Sequence, residues 1–148
     1  MLDNLENSEI YQKETYKDAV IVSNRAFIAF LLIEQINFTI IVHTHAIEFE
    51  PVVPKSVINF DKLVRLDIAN YTLETAKLMN NTLILQTAFG IENFESTLKI
   101  PLEAIFQIAI NQDLIALNYY EPQEKEIDSL DVFLSNPANL ELLKRKKR

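Results

Sequence analysis

The stretch "PLEAIFQIAINQ" (101–112) decides how the chain is read. At the helical period Leu102, Ile105, Phe106, Ala109 and Ile110 share one apolar face. Pro101 stands where a helix best accepts proline, at its first position. This predicts an inserted helix over 101–112 that docks on a sheet. Outward from it, the chain reads mostly as strands. "FTIIVHTHAI" (38–47) is β-branched, and "KLVRLDI" (62–68), "TLILQTA" (82–88) and "ESTLKI" (95–100) are shorter runs with partial alternation. "TLETAKL" (72–78) fits a strand or a helical turn. "LIALNYY" (114–120) is a last strand, ended by Pro122. Short antiparallel strands of this kind predict a mainly β domain, α+β in class, built as a small barrel or sandwich.

Before the strands, residues 1–22 read as a polar extension, and a helix is predicted from about Asn24 with Ser23 or Asn24 as its N-cap. Ala26, Phe27, Phe30, Leu31 and Glu34 fall at helical spacing, yet Ile28, Leu32 and Ile33 make the other side apolar too. A surface helix carries one apolar stripe. This one is either deeply buried or uses a second face against another subunit. The globular domain is predicted over 23–122. Beyond it the composition turns charged, and residues 123–148 read as a tail.

Gly90 is the sole glycine of 148 residues, which excludes glycine-rich phosphate loops of the Walker and Rossmann types. Turns must therefore use Asn, Asp and Pro, with "MNNT" (79–82) and "INFD" (58–61) as the best candidates. The absence of cysteine excludes disulfides, thiolate metal sites and a cysteine nucleophile. The longest apolar run, "AFIAFLLI" (26–33), is far short of the roughly 20 residues that span a bilayer. The acidic start "MLDNLENSEI" lacks the basic region of a signal peptide. A cytoplasmic protein without a membrane segment is expected. Net charge is −7, from 14 basic against 21 acidic residues, and five of the 14 close the chain as "KRKKR" (144–148). So acidic a body repels nucleic-acid phosphates. The basic end is the one feature that favours an alternative, an Sm-like RNA-binding module.

Catalytic chemistry is hard to assemble. His43 and His45 are two apart in a predicted strand, so they leave the same face and could begin a metal site. A third ligand would have to be Glu48 or Glu50, and no spacing places one. Partly exposed strand histidines without a metal are the better reading. Asp67 and Glu103 are the candidates for acid–base work, but a pairing of Asp67 with Arg65 on the same strand face is the better reading. None of the serines lies in a nucleophile motif. Neither an enzyme nor a cofactor is expected. Phe89, Tyr119 and Tyr120 end strands; they read as core rather than as platforms for bases. Asn70 and Gln86 have Ala69 and Ala88 beside them. Small and amide side chains along strands leave a shallow, hydrogen-bonding surface that suits an extended peptide.

In order and spacing, "LDIAN" (66–70), "LILQTAFG" (83–90), "IPLEAIFQIA" (100–109) and "NYYEP" (118–122) resemble the stringent starvation protein B (SspB) family. The resemblance covers residues 24–122. It implies a small Sm-like barrel whose N-terminal helix forms a homodimer interface, here Ala26, Phe27, Phe30 and Leu31. It implies an adaptor that binds ssrA-type degradation tags in a groove and hands tagged polypeptides to the ClpX unfoldase of the ClpXP protease. By position, the groove would be lined by Ile68, Ala69 and Asn70 from one strand and Gln86, Thr87, Ala88 and Phe89 from another. The family often has Arg or Ser where Ala88 stands. In the tail, "IDSLDVF" (127–133) resembles the family's docking motif for the ClpX N-terminal domain: Ile127, Asp128, Ser129, Leu130, Asp131, Val132 and Phe133. The alternative for the tail is an amphipathic segment over 127–143 that packs back on the domain through Leu130, Phe133, Leu134, Leu140 and Leu143. The closing "NPANLELLKRKKR" (136–148) has no counterpart in the family.

Overall fold

Two chain segments each begin in one sheet and finish in another, and this shared bend organises the molecule. The computed structural model describes residues 6–123. Strand β1 (Phe38–His43) passes through a 3-10 turn at Thr44–Ala46 into β2 (Glu48–Glu50). After β3 (Leu63–Ile68), β4 (Lys77–Met79) and β5 (Thr82–Phe89), strand β6 (Phe94–Pro101) passes through a 3-10 turn at Leu102–Ala104 into β7 (Ile105–Ile110). Strand β8 (Asp113–Leu117) follows. One antiparallel sheet has the order β3-β1-β7-β8 and the other β2-β6-β5-β4. Since β1 pairs with β7 and β2 with β6, the two bends lie side by side and the sheets share a corner. No ladder joins the sheets on the opposite side, so no closed barrel forms among the described residues.

The predicted helix over 101–112 is therefore the end of β6, the 3-10 turn and β7, one bent segment, which corrects the helical reading. Ile105, Ile108 and Ile110 are β-branched and have strands on both sides to pair with: β1 through Val42↔Ile105 and Ile40↔Ile108, and β8 through Ile108↔Ala116. A short apolar run is ambiguous between the two periods, and tertiary pairing decides it. At the corner the ladder breaks and leaves carbonyls to satisfy. The buried Asn24 does this, its Nδ2 donating to the Leu102 carbonyl at 2.8 Å and the Ile105 carbonyl at 3.2 Å. The Asn118 amide donates to Ile105 as well, and its Oδ1 accepts from the Tyr120 N–H at 2.9 Å.

The core lies between the sheets. Strand β1 contributes Phe38, Ile40 and Val42 by strict alternation, β3 Leu66 and Ile68, β5 Leu83, Leu85 and Phe89, and β6 Leu98 and Ile100. Helix α1 (Asn7–Tyr11) comes first, then α2 (Glu14–Ile33). Helix α2 begins at Glu14 rather than near Asn24, so the boundary expected at residue 22 falls within it. Its buried residues Val20, Asn24, Ile28 and Leu31 form a single stripe at four-, four- and three-residue steps. It ends in a Schellman arrangement: Ile36 N–H donates to the Leu31 carbonyl at 2.9 Å and Gln35 N–H to the Leu32 carbonyl, with Gln35 in the left-handed region. The third helix, α3 (Asn70–Thr75), fills the connection between β3 and β4. The inserted helix is there and not at 101–112.

From Asn7 onward the N-terminal segment is part of the fold. Gln12 exchanges two hydrogen bonds with the backbone of Glu121, at 2.7 and 2.8 Å. The Tyr16 hydroxyl accepts from the Tyr119 N–H at 3.0 Å, and Tyr11 packs on both tyrosine rings at 5.1 Å. Residues 118–121 are thus strapped down by α1 and the start of α2. Asparagine makes the tight turns: Asn80, Asn93 and Asn111 all have positive φ. The turn predicted at 79–82 is present, whereas 58–61 is irregular and the neighbouring turn lies at 55–57.

Candidate peptide groove

Where the sheets fail to close, a groove of about 430 Å³ opens. Its floor is the far end of β5 and β6, at Gln86–Ala88 and Glu95–Thr97. Ala69–Thr72, the entry to α3, form one wall, and Glu50 and Pro51, just past β2, form another. Ala69, Asn70, Gln86, Thr87 and Ala88, five residues singled out in the sequence, meet there.

Ile68 and Phe89 do not line it. Ile68 is fully buried and Phe89 nearly so, packed edge-on against Phe49 and Phe60. Both belong to the core face of their strands, although parity alone does not decide it, since Thr87 has the parity of Phe89 and still lines the groove. Phe89 shares its face with Leu83 and Leu85, and Ile68 with Leu66, and that face is the core. Sequence reasoning also missed Glu50, Pro51, Tyr71, Thr72, Glu95, Ser96 and Thr97. Three of these follow from register: a hairpin turned at Gly90–Asn93 sets Glu95 opposite Ala88, Ser96 opposite Thr87 and Thr97 opposite Gln86. Nothing in the local sequence indicates Glu50 or Pro51.

Each wall is fixed by hydrogen bonds. Asn70 sits at φ 52°, a conformation asparagine tolerates, and turns the chain from β3 into α3. The Tyr71 hydroxyl then reaches Gln86 Oε1 at 2.5 Å. Thr75 Oγ1 accepts from the Gln86 N–H at 2.9 Å and donates to the Thr72 carbonyl at 3.0 Å. On the far side Ser96 Oγ donates to the Pro51 carbonyl at 2.8 Å.

The backbone of β5 has a particular consequence here. Its pairing with β4 stops at Lys77↔Ile84. Beyond that point the Gln86 N–H points away from β6, toward Thr75. In an antiparallel ladder these directions alternate by two residues, so the N–H and C=O of Ala88 also face away from β6, into the groove. The site therefore offers an open strand edge with small side chains around it, which is what an extended chain needs in order to bind.

The two histidines lie elsewhere. His43 ends β1 and His45 is in the following 3-10 turn, so it is the turn rather than strand alternation that brings them to one cavity. Their rings are 6.0 Å apart, and His45 Nε2 is 2.9 Å from the Pro122 carbonyl. Burial pushes His43 below the ordinary histidine value, His45 adds to this and Glu121 opposes it. Glu48 and Glu50 belong to the other sheet, and no group of three metal-binding side chains exists among the described residues. Asp67 pairs with Arg65 at 3.2 Å and accepts from Thr39 Oγ1 at 3.0 Å, so its carboxylate is engaged on the surface. Tyr120 is buried, as expected of a core residue, whereas Tyr119 is exposed against Tyr11.

Of the expected dimer residues, Leu31 is fully buried in its own core and is corrected on that ground. Phe27 and Phe30 are exposed, at 37% and 48%, and Ala26 lies on the same outer side. Ile127, Leu130, Phe133 and the rest of the expected docking motif lie outside the described residues. No helix among the described residues is long and apolar enough to cross a membrane. No protein-family model and no curated protein matches this chain.

Proposed function

We propose that this chain is a peptide-binding adaptor of the SspB kind. It holds an extended ssrA-type degradation tag in the groove and presents the tagged protein to the ClpX unfoldase through its tail. The observation that carries the reading is the groove itself: Ala69, Asn70, Gln86, Thr87 and Ala88 line one cleft beside an open strand edge. The two-sheet architecture with a shared corner is in keeping with a partly open Sm-like barrel.

The tag lies along β5 and takes main-chain hydrogen bonds from Ala88, while its alternate side chains meet the small residues of the floor. Affinity at one groove is modest, and the adaptor gains from tethering. Tag binding and tail docking act together through effective concentration, and pairing of two copies multiplies the effect. The outer side of α2 supplies the pairing surface through Ala26, Phe27 and Phe30.

The test is fluorescence anisotropy with a labelled ssrA peptide and the full chain. Binding is expected, and Ala88→Trp, which fills the floor, abolishes it while leaving the circular dichroism spectrum unchanged. A folded protein that shows no binding at tens of micromolar overturns the reading.

A further inference from the structure

The groove is charged in one sense only. Its lining holds two carboxylates, Glu50 and Glu95, and no lysine, arginine or histidine. Strand register shows why the carboxylates are near each other. Glu50 stands opposite Thr97 on β6, and Glu95 is two residues along β6 on the same outer face. That makes their backbone positions diagonal neighbours, a relation that sets the two Cα atoms roughly 7–8 Å apart. Neither is in an ion pair; among the described residues the one salt bridge is Arg65–Asp67. Opposite Glu95 is Ala88, which offers no charge. Lys77 and Lys99, which flank Ile84 across its two ladders, lie outside the lining, and Lys99 faces Glu48 directly across the ladder. The remaining lining is uncharged and mostly small: Ala69, Thr72, Thr87, Ala88, Ser96 and Thr97.

Two like charges, one in the floor and one in a wall of an open groove, repel an acidic ligand and attract a basic one. From this we infer that the groove selects extended peptides that place a lysine or arginine against Glu50 and Glu95, and that it rejects peptides with Asp or Glu at that point. This selectivity rests on the groove being a peptide site, and it names the class of peptide.

The experiment uses the full chain and three labelled versions of one ssrA-type peptide, identical except that two central residues are both Lys, both Gln or both Glu. At low ionic strength the Lys peptide binds about 3- to 10-fold more tightly than the Gln peptide, and the Glu peptide about 3- to 10-fold more weakly. Added salt compresses the ranking. The double substitution E50Q/E95Q abolishes it; both side chains are exposed and the change is nearly isosteric. Equal affinities for all three peptides, or tightest binding of the Glu peptide, overturn the selectivity while leaving the groove a peptide site. A ranking that survives in E50Q/E95Q overturns the assignment to these two residues. Failure of all three peptides to bind overturns the peptide site and the selectivity with it.

Discussion

Gly90 opens the turn between β5 and β6 at φ +74°, and a Cβ there would stand 2.8 Å from Val57 Cγ1 and 3.2 Å from the Val57 carbonyl oxygen. Both the backbone conformation and the close approach require glycine. Gly90→Ala should therefore cost about 1–3 kcal/mol in a denaturant titration, more than an ordinary surface change. His43 presents a different constraint. Its Nε2 is buried with no hydrogen-bond partner among the described residues, and its folded-state pKa is depressed, first by burial and then by His45. The neutral ring is what the fold accommodates. Its contribution to stability is complete above about 6.5, the ordinary histidine value. It is lost as pH falls from there through the lower folded value, because the unfolded chain takes up the proton first. The wild-type melting temperature should fall over that window, and His43→Gln should flatten that part of the profile.

At the scale of elements, the corner between β6 and β7 depends on Asn24, a helix residue that reaches two strand carbonyls. Asn24→Ala leaves buried acceptors with one donor fewer, and a loss of about 1–3 kcal/mol is expected by thermal or chemical unfolding. Asn24→Leu, which keeps the branched shape but adds bulk and removes the donor, should not restore it. Helix α2 has a second exposed apolar series, Val22, Ala26, Phe30 and Ile33, with Val22 and Ile33 at 69% and 78% exposure. Its spacing follows one face of a helix. Light scattering should give twice the monomer mass for the wild type and the monomer mass for Phe30→Glu, with unfolding of the monomer little changed. Much of this level was legible in the sequence. Alternation fixed β1, and the β5–β6 hairpin could be counted outward from Gly90. The two apolar sides of α2 were visible, although their order was not, and Leu31 went to the wrong one. The stretch 101–112 was misread because its apolar spacing fits two periods, and the partners that choose between them, β1 and β8, come from distant parts of the chain. The groove was legible where short and amide residues end strands. Its acidic pair was not, because β2 reaches β6 only through the corner.

For the whole molecule, the proposed function gives the tag to the groove and unfoldase docking to the tail, and on that proposal the two should separate in experiment. A chain ending at Gln123 retains the strap that Gln12 makes with Glu121 and every lining residue of the groove. Its affinity for a tag peptide should match that of the full chain. Its stimulation of ClpXP degradation of a tagged substrate should fall by ten-fold or more, since one arm of the tether is gone. Equal stimulation by both chains would assign unfoldase docking to the domain rather than the tail. The asparagine turns have a consequence of another kind. Asn70, Asn80, Asn93 and Asn111 occupy left-handed positions that many proteins give to glycine. Each carries some strain in the native chain, but each also narrows what the denatured chain can explore, an effect of about 0.4–1 kcal/mol per site. Glycine at any one of them would relax the turn and enlarge the unfolded ensemble together, with little net change. With one glycine in 148 residues, this protein sets strain in its native turns against a denatured chain that is stiffer than a glycine-rich one.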